Sequence, residues 1–354
     1  RNQEALIIKL EGELLLRPVM TMNMQDSRKE EKQEKEKTLL EWAVEICPES
    51  PRKRVKGWIA SGRFCLDGKV TTQAGLRIKN PGNRLTMGPP DQEPESWGPR
   101  KRIHPKLVLV HLDRSLAIVD KEPGLLSVPT EKQGKISALE VLADYLNDPR
   151  GEVTRRKFFG SADHVQPLPV HRLDQYTSGL LCIAMNEEAR GRLIDQLRSH
   201  AFLREYIAYA DGEAPQPEGS WRHFMQLDAS GMSQSIVDED CPGATEAVTH
   251  YSVEHVYARH HVSKLRIGLE TGLKHQIRIQ AAAANMPLIG DRMYHEGTKK
   301  AVAKKGARLP YGFQRQALHA ALIGIKHPED GRKLKFESRI PGDMQDLESR
   351  LSLE

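Results

Sequence analysis

Residues 179–185, Gly-Leu-Leu-Cys-Ile-Ala-Met, place seven positions in a row without a polar side chain. A strand has two faces, so a run like this must be covered on both of them. The fold therefore needs layers above and below this segment, and 354 residues are enough to supply them. No apolar run approaches the roughly 18 residues of a membrane span, so no membrane partner is expected.

The surrounding pattern fills in those layers. Residues 107–110 and 116–119 are apolar runs separated by Asp113-Arg114, a hairpin signature. Leu139, Leu142, Ala143 and Leu146 share one side of a helix over residues 137–147, with Ser137 available as its cap. Asn186 precedes a second helix, striped by Ala189, Leu193, Ile194 and Leu197. Residues 202–211, 244–256, 262–270 and 318–328 read as strands, and Ile277, Ala281 and Ala284 give residues 274–285 a helical spacing. Hairpins beside helices predict an α+β fold: a mixed, mainly antiparallel sheet with flanking helices, not a doubly wound parallel one.

The amino-terminal third reads differently. Residues 28–37 are almost all charged and of both signs, a solvated face or tether. Arg52, Lys53, Arg54 and Lys56 lead an amphipathic helix carrying Val55, Trp58 and Ile59, which Gly62 can stop. A strand over residues 64–66, the tight turn Asp67-Gly68 and a second strand from Lys69 follow. The basic helix, Trp58-Ile59-Ala60-Ser61-Gly62, Asp67-Gly68-Lys69 and Gly82 together resemble the α-L RNA-binding module. A Pro- and Gly-rich stretch comes next. The expected organisation is a charged segment at 1–37, the α-L-like module at 38–88, a linker at 89–106, a second domain at 107–345 and a tail at 346–354. The first residue is Arg1, with Met20, Met22 and Met24 as alternative initiators, and no secretory signal pattern is present.

The chemistry concentrates in residues 171–181, HRLDQYTSGLL, a loop leading directly into the apolar strand. HRLDxxTSGLL resembles the signature of the RluA-type pseudouridine synthases. Further segments match that family in order: Asp120-Lys121-Glu122-Pro123-Gly124, Arg204-Glu205-Tyr206-Ile207-Ala208, His275-Gln276-Ile277-Arg278, Pro287-Leu288-Ile289-Gly290-Asp291 with Tyr294, and Leu318-His319-Ala320 with His327-Pro328. The likeness spans about residues 107–345. Departures from the pattern are Asp120 for Asn, Glu122 for Pro, Arg204 for Lys, and Leu273-Lys274 for Arg-Thr.

The resemblance implies isomerisation of uridine in RNA to pseudouridine, with no cofactor. It implies Asp174 as the catalytic carboxylate, Arg278 as the cation that keeps it ionised, and Tyr206 as the aromatic that stacks on the uracil. Arg172 would fill the space of an extruded base or hold phosphate, with His171, Thr177, Lys274, His275, Gln276 and Lys121 around the substrate. Arg155 and Arg156, with Lys299, Lys300, Lys304 and Lys305, form basic clusters that could meet phosphate beside the module's own basic residues. Large-subunit ribosomal RNA is the first expectation and transfer RNA the second. The rivals are an RNA-binding ribosome-assembly factor without activity, and a hydrolase. The latter would need a second carboxylate that the motif lacks.

Other classes fit poorly. Lys and Arg number 53 against 48 Asp and Glu, a modest excess of +5. Cys47, Cys65, Cys182 and Cys241 stand apart with no C-x-x-C pair, as expected of reduced thiols in a cytoplasmic protein. His250, His255, His260 and His261 lack Cys or carboxylate at ligand spacing, so no metal is expected. A monomer is the default.

Overall fold

The computed structural model describes residues 36–48, 50–60, 64–67, 69–71, 73–79, 81, 84–87, 100–130, 134–149, 152–160, 164–228, 231, 234–304, 307 and 309–353. Most of the charged segment at 28–37, most of the Pro-rich stretch, Ser61, Gly62, Gly68, Gly82, Lys305 and the Arg54 side chain lie outside them.

Among the amino-terminal residues the elements are β1 (Lys37–Thr38), α1 (Leu39–Ile46), α2 (Arg52–Ala60), β2 (Phe64–Leu66), β3 (Lys69–Thr71), β4 (Arg77–Ile78) and β5 (Leu85–Met87). Thr38 starts α1 with a capping box. Its Oγ1 accepts from the Glu41 N–H at 3.3 Å while Glu41 accepts from the Thr38 N–H at 2.7 Å. Leu39, Ala43, Val55, Ile59, Phe64 and Leu85 form a core of their own. Strand β2 lies between β3 and β5, and Asp67 takes the left-handed turn conformation at φ +53°.

The rest of the chain builds β6 (Lys101–His104), β7 (Leu107–Leu112), β8 (Leu116–Lys121), α3 (Ala138–Asn147), α4 (Glu152–Phe159), β9 (Leu168–Pro169), β10 (Ser178–Ala184), α5 (Glu187–Arg198), β11 (Leu203–Asp211), β12 (Glu218–Leu227), β13 (Gln234–Val237), β14 (Thr245–Tyr257) and β15 (Val262–Leu269). It continues through α6 (Gln276–Ala283), α7 (Glu296–Ala303), β16 (Leu318–Lys326), β17 (Lys333–Glu337) and α8 (Gly342–Ser352). The sheet runs β13-β12-β14-β15-β11-β16-β10-β8-β7-β6, with β17 beside β16 and β9 beside β10. All named strand pairs are antiparallel except β10 with β16. The expected α+β class, with its mixed and mainly antiparallel sheet, is the one found.

Strand β10 explains the apolar run. All seven of its residues are buried. Leu181 and Ile183 enter one core with Val119, Leu142, Ala208 and Ile267, while Leu180, Cys182 and Ala184 enter another with Ile118, Leu193, Phe202 and Ile323. Alternate residues from Leu180 to Ala184 thus face opposite apolar layers. Each core leucine contributes about 2–5 kcal/mol against truncation to alanine. Ser137 and Asn186 cap α3 and α5 as expected, accepting from the N–H groups of Glu140 and Ala189.

The carboxyl end departs from expectation. A boundary at residue 345 cuts through α8, which buries Met344, Leu347 and Leu351 against Tyr209, Val262 and Ile289. The apolar spacing i, i+3, i+7 makes this a packed helix, not a tail. No helix among the described residues is long and apolar enough to cross a membrane.

Gly179 has φ +111°, and a Cβ there would stand 2.2 Å from the Ala320 carbonyl oxygen of β16. Gly179→Ala should cost about 3 kcal/mol or more, read as a lowered denaturation midpoint. His327 lies 3.0 Å from Asp113 and 3.4 Å from Asp330. Burial alone would lower its pKa, but the two carboxylates outweigh burial and raise it to about 9. The folded value exceeds the unfolded one, so this stabilisation is full below about pH 6.5 and is lost as pH rises through about 9. The stability difference between wild type and His327→Gln should therefore shrink across that window in denaturant titrations.

Candidate active site

The segment HRLDQYT forms a loop between β9 and the start of β10 at Ser178, and two distant parts of the chain hold it. At one side, the Gly124 N–H donates to the Gln175 carbonyl at 2.7 Å, and Gln175 Nε2 returns a bond to the Gly124 carbonyl at 3.0 Å. Lys121 Nζ lies beneath, donating to the carbonyls of Leu125, Gln175 and Glu122 at 3.0, 3.2 and 3.3 Å. Burial, with Arg315 nearby, lowers the Lys121 pKa to about 7. Next, Ser127 Oγ accepts from the Leu173 N–H at 2.9 Å and donates to its carbonyl at 2.8 Å. Finally, Arg315 donates to the Tyr176 carbonyl at 3.1 Å and to Ser178 Oγ at 3.3 Å, while Gln316 donates to Thr177 Oγ1 at 3.3 Å. A turn closed by the Thr177 N–H and the Asp174 carbonyl at 3.1 Å presents the Asp174 side chain.

Arg278 arrives from α6, whose residues 276–281 are all buried. Its Nη1 donates to Asp174 Oδ2 at 2.8 Å. Its Nε and Nη2 grip Asp291 in a two-pronged pair at 2.6 and 2.9 Å. Asp291 is fully buried and also accepts from the N–H groups of Met293 and Tyr294 at 2.8 and 3.1 Å. Burial pushes its carboxyl up, yet Arg278 and those amides hold it below the ordinary carboxylate value. For Arg278 the same pair overrides burial and raises an already high pKa. The Gly290 backbone, at φ +74°, makes Asp291 possible: a Cβ there would stand 2.1 Å from the Arg315 carbonyl oxygen.

Asp174 and Arg278 line a cleft of about 700 Å³ together with Tyr206, Leu318 and His275. The Tyr206 phenol is buried, and burial, reinforced by the Asp174 charge, raises its pKa. His275 takes a left-handed conformation at the start of α6, with Nε2 3.7 Å from Asp174 and Nδ1 2.9 Å from the Tyr294 hydroxyl. Burial, ahead of the opposing pull of Asp174, lowers its pKa.

The remaining expected site residues fall into two groups. Arg172 is open to solvent, and the half-buried Lys274 reaches the Gly231 carbonyl at 2.6 Å. His171, Gln276, Thr177 and Lys121 are engaged by the protein itself. His171 Nε2 accepts from the Cys182 N–H at 3.0 Å, and burial lowers its pKa to about 3, so it is a neutral acceptor. Gln276 accepts from Thr271 Oγ1 and the Leu273 N–H and donates to the Val248 carbonyl and Thr249 Oγ1. The basic clusters are partly engaged as well. Arg155 donates to the carbonyls of Leu146 and Asn147, Arg156 pairs with Glu152, and Lys299 pairs with Glu296. Lys300 and Lys304 lie in and just after α7, and Arg52, Lys53 and Lys56 are exposed on α2. Asp291, Arg204 and Arg315 are the contributors that motif reading left without a role. The segment Pro287-Leu288-Ile289-Gly290-Asp291 already displayed the first of them.

A family model described as RNA pseudouridylate synthase matches residues 115–283, which include Asp174, Tyr206 and Arg278. The ribosomal large subunit pseudouridine synthase D of Pseudomonas aeruginosa is 30% identical over 313 residues, covering 85% of this chain and 88% of that protein. The protein of the same name from Escherichia coli is 29% identical over 309 residues, covering 86% and 87%. The solved structure of human RNA pseudouridylate synthase domain containing 4 aligns with a TM-score of 0.51 at 20% identity, over 70% of this chain and 93% of that one, a likeness of fold. The chain belongs to the RNA pseudouridylate synthase family. The activity that follows is conversion of uridine in RNA to pseudouridine.

The Arg278 geometry gives the next prediction. Lysine keeps the charge but cannot bond both carboxylates in one plane. Arg278→Lys should fold yet lose turnover by tenfold or more. Asp291→Asn leaves the buried guanidinium half-paired and should cost about 3 kcal/mol as well as turnover. Calorimetry and single-turnover rates check both.

Proposed function

We propose that the chain isomerises uridine in large-subunit ribosomal RNA and that Asp174 is the carboxylate acting on the nucleoside. The names of its relatives support the RNA class. The observation that carries the role of Asp174 is its 2.8 Å bond to Arg278 at the wall of a cleft shared with Tyr206. The guanidinium gives the carboxylate a fixed, permanently charged hydrogen-bond partner. The carboxylate can then add to the nucleoside or stabilise the cation that forms at the sugar.

The reaction balances within one nucleoside. The bond from C1′ to N1 breaks, the uracil turns, and C1′ bonds to C5. The proton leaving C5 is matched by one gained at N1, so mass is unchanged. Tyr206 provides a ring face for the turning base and a hydroxyl that can carry the proton. A stacked uridine cannot reach Asp174, so the nucleotide is extruded from loops or bulges where that is cheapest. One chain supplies Asp174, Tyr206 and Arg278, so a monomer suffices. The amino-terminal module adds grip on phosphates through Arg52, Lys53 and Lys56 on α2.

Asp174→Asn should bind RNA within about twofold of wild type at fixed salt and form no pseudouridine. Carbodiimide mapping of ribosomal and transfer RNA from cells with and without the active protein names the target. Stops lost only from transfer RNA would overturn the ribosomal assignment, and turnover retained by Asp174→Asn would remove the carboxylate from its role. Removing the α2 cations by Lys53→Gln with Lys56→Gln should weaken affinity and flatten its salt dependence in filter binding.

A further inference from the structure

The cleft that holds Asp174 continues past it along α5. Ile194 and Leu197 line this extension one turn apart, with Arg190 and Arg198 at the two ends of the apolar strip. Arg190 is an anchored arginine: its Nε donates to the Pro169 carbonyl at 3.2 Å and its Nη1 to Glu187 at 3.1 Å. Its guanidinium is thereby fixed beside the strand that leads into the Asp174 loop.

The facing wall is the segment 269–273. Buried Arg204 holds it by donating to the carbonyls of Thr271, Glu270 and Leu269 at 3.3, 3.4 and 3.5 Å. His200 Nδ1, just beyond α5, lies 2.8 Å from the Glu270 carbonyl and ties the two walls together. The cleft lining carries more cations than anions, although Arg190 and Arg198 each also meet a carboxylate of their own helix, Glu187 at 3.1 Å and Asp195 at 3.5 Å. Arg190, Arg198, Arg204 and Lys274 join Arg172 and Arg278, against Asp174 and Glu270 as its acidic residues. An apolar strip bracketed by guanidinium groups matches a nucleotide, whose base offers a flat apolar face and whose linkages are anionic.

We infer that the α5 wall is a second subsite, taking the nucleotide that flanks the target uridine. Its base lies on Ile194 and Leu197, and its phosphodiesters meet Arg190 and Arg198. This deepens the reading of the Asp174 site and rests on it, because the occupant is part of the same RNA.

The test uses the shortest ribosomal RNA hairpin that the wild-type protein modifies. Neutral methylphosphonate linkages replace phosphates near the target one at a time. One or two replacements should weaken wild-type binding about tenfold. The Arg190→Gln/Arg198→Gln protein should bind the natural hairpin about tenfold less tightly and be indifferent to those same replacements, with a salt slope shallower by about 0.7 per lost contact. Arg222→Gln/Arg259→Gln removes the same charge elsewhere and should keep the wild-type pattern. An equal response of wild type and the Arg190/Arg198 variant at every linkage overturns the subsite. A wild-type protein that modifies no RNA overturns the enzymatic reading instead, so the two failures are distinct.

Discussion

One guanidinium shared by two carboxylates organises the centre of this protein. Asp291 takes the Nε and Nη2 edge of Arg278, which leaves Nη1 aimed at Asp174. Such buried pairing contributes little net stability, because desolvation offsets most of the attraction. Its effect is directional. With its plane fixed from behind, the guanidinium meets Asp174 at one angle and one distance.

The same economy governs the loop that carries Asp174. It is fastened by Lys121, Gly124 and Ser127 of one segment and, from far along the chain, by Arg315. Arg315 is itself gripped by Asp343 of α8 at 2.7 and 2.9 Å. Helix α8 is therefore joined to the Asp174 loop through one side chain. Restraint from several directions removes motion that binding would otherwise have to freeze.

Much of this architecture was legible in the sequence. The run at 179–185 announced a strand covered on both sides, and β10 is that strand, displaced by one residue. Ser137 and Asn186 marked helix starts because their side chains satisfy N–H groups that no helical partner can reach. The meeting of Asp174 and Arg278, 104 residues apart, came from motif resemblance and could not come from periodicity. What stayed hidden was pairing at long range. Nothing local says that Arg204 turns inward to three carbonyls, or that Arg155 folds back onto the end of α3. A cationic letter reads the same whether it faces water or a carbonyl. Helices α4 and α7 were hidden for a related reason: they are short and charged, and their apolar stripes are weak.

Strand β10 finds its parallel neighbour β16 late. Ser178 and His319 touch although they stand 141 positions apart in the chain. During synthesis the amino-terminal side emerges first, so the Ser178–Gly179 end of this strand lacks its parallel neighbour until β16 has been made, while β8 and β9 are already present beside the rest. An unpaired apolar edge is the feature most prone to association with other nascent chains. Completion of the cleft that holds Asp174 is thus tied to the arrival of β16.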